Sequence, residues 1–80
     1  MTINDLPLIY NLDKVAVYNK HGLVSSFWRD RKFSLAEQVV HYRTQLSNEA
    51  RDVLNQKIES MGICVSGISE DVVTLEIYLK

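Results

Sequence analysis

The sequence predicts an α+β domain of element order β-β-α-α-β-β, a mainly antiparallel sheet with two helices packed on one face. Three observations predict it. Two short runs rich in β-branched and aromatic residues flank a turn at 19–22. Two helix starts, each opened by a serine, follow at positions 34 and 47. The last run, 72–79, alternates apolar and polar residues. The chain has 80 residues, 46% hydrophobic and 24% charged. That suits one domain, 1–80, near the lower end of what folds without a cross-link, so burial against a second subunit would help. A homodimer is a partner expectation from the outset.

Residues 1–13 are expected to form an apolar extended lead-in. Pro7 has no amide hydrogen and restricts the residue before it, so 6–12 is extended, with an edge strand as the alternative. Residues 14–28 form a hairpin. Val15–Tyr18 and Leu23–Trp28 are its strands, and Asn19-Lys20-His21-Gly22 is a turn in which Asn opens and Gly supplies positive φ.

Residues 34–61 are expected to hold the helix pair. Ser34 caps the first helix, and Glu37 three residues on completes a capping box. Leu35, Val39, Tyr42 and Leu46 share one stripe, widened by Ala36 and Val40, while Glu37, Gln38, His41, Thr44 and Gln45 face away. Ser47 caps the second helix, Ala50, Val53, Leu54, Ile58 and Met61 form its stripe, and Gly62 suits its C-terminal stop. Residues 63–79 form the closing hairpin, from strands at 63–68 and 72–79, with Gly67 marking a bulge. How the two hairpins join, within one chain or across a dimer, is not fixed by periodicity.

Composition narrows the function classes without choosing one. The net charge is −1, spread as −2 over 1–13, +4 over 14–43 and −3 over 44–80. A near-neutral total argues against a dedicated non-specific nucleic-acid binder, which needs a surplus of phosphate-facing bases. The single cysteine, Cys64, excludes an intrachain disulfide, and in the run Ile63-Cys64-Val65 a small buried side chain is expected. A lone thiol, no basic leader ahead of an apolar segment and no long apolar run together point to the cytoplasm. Zinc-ligand spacings, a Gly-rich phosphate loop and a nucleophile elbow are missing from the sequence, so no cofactor or metal is expected, and no enzyme.

Four features carry what functional signal there is. Phe27, Trp28, Arg29, Arg31, Lys32 and Phe33 gather three bases and three aromatics, including the one tryptophan. Such a segment suits a protein hot spot, or phosphate binding with base stacking; the plain alternative is a solvated connection between core anchors. Arg43 and Lys57 fall inside the apolar arcs of the two expected helices, where each must reach water along its stem, pair with an acid or meet a partner. Glu37 and His41 stand one turn apart, a general-base geometry that is commoner as surface decoration. Asn48, Asp52, Asn55, Gln56 and Glu59, continued by Glu70 and Asp71, would give the second helix an acidic face able to mimic phosphate.

The function expected from this is a non-enzymatic protein-interaction module: an inhibitor, adaptor or immunity-type factor. Its binding residues are expected to be Phe27, Trp28, Arg29, Arg31, Lys32, Arg43 and Lys57. The alternatives are a nucleic-acid binder using 28–32 and a small-ligand binder or enzyme.

Overall fold

The computed structural model describes residues 1–6, 12–44, 50–67 and 71–80, with backbone alone for 50–52. The first hairpin forms as its turn chemistry dictates. β1 (Lys14–Asn19) and β2 (Gly22–Trp28) pair antiparallel from Lys14↔Trp28 to Asn19↔Gly22. Asn19 Oδ1 accepts the His21 amide at 2.8 Å, and Gly22 takes φ 121°, a region closed to most side chains. A bulge between Val17 and Tyr18 admits Val24 as the extra residue of β2.

α1 (Leu35–His41) begins where the serine places it. Ser34 Oγ accepts the Glu37 amide at 3.1 Å and donates to Glu37 Oε1 at 3.0 Å. The carboxylate thus returns to the Ser34 hydroxyl rather than to the Ser34 amide expected of a capping box. Val39 and half-buried Leu35 and Ala36 reach the core, while Val40 is exposed.

α2 (Ala50–Asn55) is shorter than its expected stripe, because β3 (Ile58–Ser66) begins where that stripe was to continue. Ile58 and Met61 are strand residues, and Gly62 pairs with Glu76 in the middle of a ladder instead of ending a helix. The spacing of three from 58 to 61 suits a helical stripe, and a strand puts both residues on one face only because a bulge intervenes. The ladder with β4 (Val72–Leu79) decides it: eight residues gain cross-strand partners, against one further helical turn broken by glycine. β3 carries a bulge between Ile58 and Ser60, and Gly67 lies just beyond the strand with φ 150°. Val53 still reaches the core, and the Ser47 cap and Leu46 lie outside the described residues.

The two hairpins join within the chain. β1 and β4 pair in parallel, from Lys14↔Thr74 to Tyr18↔Tyr78, so the strand order is β2-β1-β4-β3 with two antiparallel ladders around one parallel one. Asp13 clamps the junction. Its amide donates to Val73 O at 2.9 Å, its carboxylate accepts the Val73 amide at 2.8 Å, and its carbonyl accepts the Arg29 amide at 2.9 Å. One face of the sheet, carrying Val15, Val17, Phe27, Leu75, Ile77 and Leu79, packs on Val39 and Val53.

The lead-in contributes to the same core. Residues Ile3–Asp5 form a 3₁₀ turn, not an extended segment, and place Ile3 fully in the core. Asp5 Oδ2 accepts both the amide and the hydroxyl of Thr2, each at 3.0 Å. Residues 7–11, including Pro7, lie outside the described residues. No described helix is long and apolar enough to cross a membrane.

Candidate functional site

The aromatic-basic segment is a tight turn between β2 and α1, built around one buried amide. Gln38 is 3% exposed. Its Nε2 donates to Trp28 O at 3.1 Å, and its Oε1 accepts the Asp30 amide at 3.1 Å and Arg29 Nη1 at 2.5 Å. Buried polar groups persist when they are hydrogen-bonded, and both ends of this side chain are. Arg29 Nη1 also points to Asp30 O at 2.7 Å and Phe33 O at 2.8 Å, while Asp30 Oδ1 accepts the Lys32 amide at 3.0 Å. Arg29 is thereby a brace for the turn rather than a contact offered outward.

What the brace presents is mostly side chain. Trp28 is 62% exposed and Phe33 50%, and Arg31 and Lys32 are exposed between them. Lys14 Nζ lies 5.1 Å from the centroid of the Trp28 ring, a cation–π contact on the sheet face away from the helices. On the helix side, a cleft of about 350 Å³ opens beside the turn. Ile3, Leu6, Leu12 and Leu35 make its floor apolar, and Arg31 and Lys32 stand on its lip. A second hollow of about 340 Å³, between Asp30, Phe33, Glu37 and His41, lies on the other side of Phe33.

The rest of the expected set is dispersed. Phe27 is buried in the core and stacked on Tyr42 at 5.6 Å between centroids, so it is unavailable to a partner. Arg43 lies beyond α1, where it bridges Ser25 at the outer edge of β2. Lys57 lies between α2 and β3, exposed, with its carbonyl accepting the Lys80 amide at 2.9 Å. Neither base sits on a helix, so the wheel that placed them in apolar arcs does not apply. Neither adjoins the turn in sequence or ladder.

Other expected constellations also come apart. The acidic helix face dissolves because Glu59 belongs to β3 and Gln56 follows α2; Asn48 and Glu70 lie outside the described residues. Cys64 is exposed rather than buried, and its partner Thr74 places it on the face opposite α1, away from His41. Glu37 is engaged by Ser34, and His41 meets Tyr42 edge-on at 4.7 Å. Among the described residues, no group of three His, Cys, Asp or Glu side chains could hold a metal ion.

Two features escape a reading of the sequence. Gln38 was expected on the solvent side of its helix, yet it stands next to Tyr42 at the margin of the apolar stripe, where the turn covers it. Tyr18 and Tyr78 stack at 5.3 Å on the open sheet face, a contact set by the parallel β1–β4 register. The Tyr78 hydroxyl donates to Glu76, and that hydrogen bond raises the Tyr78 pKa above its ordinary 10.0.

No family model, curated protein or solved structure matches this chain.

Proposed function

We propose that the chain is a small non-enzymatic module that acts by binding another protein, as an inhibitor, adaptor or immunity-type factor, with the 28–33 turn as its contact. One observation carries this. The turn is braced from within by Gln38 and Arg29 while large aromatics, Trp28 and Phe33, stand exposed on it beside Lys32. A pre-organised loop loses little conformational freedom on binding, and aromatic and arginine side chains dominate interface energetics. The cleft adds chemistry: an apolar floor under a cationic lip suits an apolar side chain next to a carboxylate. The partner segment is therefore acidic and apolar. An exposed thiol at Cys64 is best kept in a reducing compartment, which favours the cytoplasm.

Nucleic acid is the weaker occupant of the same turn. Arg29 is spent internally, and Glu76 lies in the middle of the adjoining open face. The experiment is affinity capture from the native cell with tagged wild-type chain, with and without nuclease, against a Trp28→Ala, Lys32→Glu double variant. A stoichiometric protein held through nuclease treatment and lost in the variant is the expected result. Capture that nuclease abolishes assigns the turn to nucleic acid, and an absence of any stoichiometric macromolecule overturns the interaction reading.

A further inference from the structure

The two edges of the sheet differ. The outer edge of β2 is occupied by the chain itself: Arg43 bridges Ser25, the Thr44 amide donates to Val24 O at 2.8 Å, and Thr44 Oγ1 donates to Leu23 O at 3.1 Å. β3 is the other edge and is nine residues long. Lys57 O accepts from Lys80, so the next amide, Ile58 N–H, points outward, where it donates to Met1 O at 2.8 Å. Among the described residues, that is the one backbone bond on the outer side of β3.

The devices that blunt an edge are confined to the start of β3, where the bulge between Ile58 and Ser60 and its one charge, Glu59, lie; from Ser60 to Ser66 it contains no proline, no charge and no bulge. On its helix-side face Met61, Ile63 and Val65 stand opposite Ile77, Leu75 and Val73, yet they remain 44%, 66% and 58% exposed. α2 ends at Asn55 and packs on the 3₁₀ turn, leaving this row uncovered. Scattered exposed apolar residues are ordinary, but three in a row along an unpaired backbone edge are not.

From this geometry we infer that a second copy of the chain adds its β3 antiparallel to the first, about a two-fold axis perpendicular to the sheet. Met1 already takes the Ile58 amide, so the available ladder runs from Ser60 to Ser66 and its midpoint is Ile63. With Ile63 on the axis, Met61 faces Val65 of the second copy, Gly62 faces its Cys64 and Ser60 its Ser66. The helix-side apolar rows meet each other, and the opposite rows contain only small side chains. The charges agree with this register. The two Glu59 residues fall at opposite ends of the ladder, roughly 25–30 Å apart at about 3.4 Å per residue, so no like charges stand opposed. A charged foreign strand would find no partner charge along the ladder, whereas a second copy presents the matching apolar row. The product is a continuous sheet, β2-β1-β4-β3-β3-β4-β1-β2, with all helices on one side and the 28–33 turns at its far ends. The inference does not depend on what those turns bind.

Sedimentation equilibrium of the unlabelled full chain across micromolar concentrations tests the association, and a nitroxide on the native Cys64 tests its geometry. The expected mass rises toward twice that of the chain. The labelled chain shows strong dipolar broadening, because the two Cys64 become diagonal neighbours about 7–8 Å apart, and excess unlabelled chain abolishes the broadening. Ile63→Lys changes an exposed position of the protomer and puts two ammonium groups on the axis. It should raise the dimer dissociation constant about tenfold or more, given the cost of juxtaposed like charges, with the circular dichroism spectrum unchanged. Val40→Lys, exposed on α1, should leave the dimer intact. A monomer at every concentration overturns the inference. So does a dimer that survives Ile63→Lys or shows no broadening, since its contact then lies elsewhere.

Discussion

Arg29 Nη1 lies 2.5 Å from Gln38 Oε1, one of three hydrogen bonds that fix a surface turn to a buried helical side chain. Gln38 is on α1, whereas the groups it holds, Trp28 O, the Asp30 amide and Arg29, all belong to the turn that precedes it. The brace therefore ties the end of β2 to the helix that covers the sheet. Any use of Trp28 and Phe33 as contacts inherits its rigidity.

Gln38→Leu keeps the volume but removes both polar ends. The Trp28 carbonyl, the Asp30 amide and a half-buried guanidinium then lose their shared partner. Leaving buried polar groups unsatisfied costs about 1–3 kcal/mol each, partly relieved here by water at the exposed turn. The expected outcome is a loss of roughly 2 kcal/mol in urea unfolding, together with a changed Trp28 emission in the folded state. Unchanged stability and emission would show that the turn is held by something other than Gln38.

The parts of the fold that the sequence makes legible are those set by near neighbours. The 19–22 turn needs only Asn19 and Gly22; the start of α1 needs only Ser34 and the Glu37 amide; the alternation of β4 lies within eight residues. The parts it hides depend on distant partners. Ile58 and Met61 have the spacing of a helical stripe, and only the ladder with β4 makes them strand residues. The parallel β1–β4 pairing brings together residues some sixty positions apart, as Asp13 and Val73 show.

The candidate site divides along the same line. Trp28, Arg31, Lys32 and Phe33 remain together because they are contiguous, whereas Arg43 and Lys57 entered through a helical wheel that the chain does not follow. The N-terminus carries a local signal of its own. Thr2-Ile3-Asn4-Asp5 has the spacing of a short capping box, which a single turn needs and an extended strand does not.

Gly22 and Gly62, the two described glycines within strands, should respond to alanine in opposite senses. A Cβ at either Gly22 or Gly62 meets nothing within 4 Å, so sterics with neighbours are absent and backbone conformation decides. Gly22 sits at φ 121°, where an L side chain is strained, so Gly22→Ala should cost about 1 kcal/mol or more. Gly62 has no such φ and occupies a strand, so Gly62→Ala should be neutral or stabilising by up to about 0.5 kcal/mol, chiefly by restricting the unfolded chain. Chemical denaturation of both variants, at a concentration low enough to keep the chain monomeric, measures the contrast. Equal effects would contradict the turn geometry at Gly22.

Asp5 makes the contribution of the N-terminal turn depend on pH. The Thr2 amide and hydroxyl both donate to its carboxylate and hold its pKa below the ordinary 3.8, with desolvation opposing them weakly. A carboxylate with a lowered folded-state pKa adds stability above its unfolded value, and that stability disappears as the pH falls through the folded one. The turn seats Ile3 in the core, and Met1 O accepts the Ile58 amide, so loosening it disturbs both the core and the start of β3. Asp5→Ala should therefore lower the Tm at neutral pH, and the gap from wild type should narrow steadily as the pH drops below 3.8, where the wild-type carboxylate also becomes neutral. Sodium chloride should leave most of the gap in place, because direct hydrogen bonds dominate it and the coulombic pull of the N-terminus is the smallest of its causes. A gap that stays constant from neutral to acid pH would mean that the Asp5 side chain acts through packing alone, and its hydrogen bonds to Thr2 would then carry none of the stability of the turn.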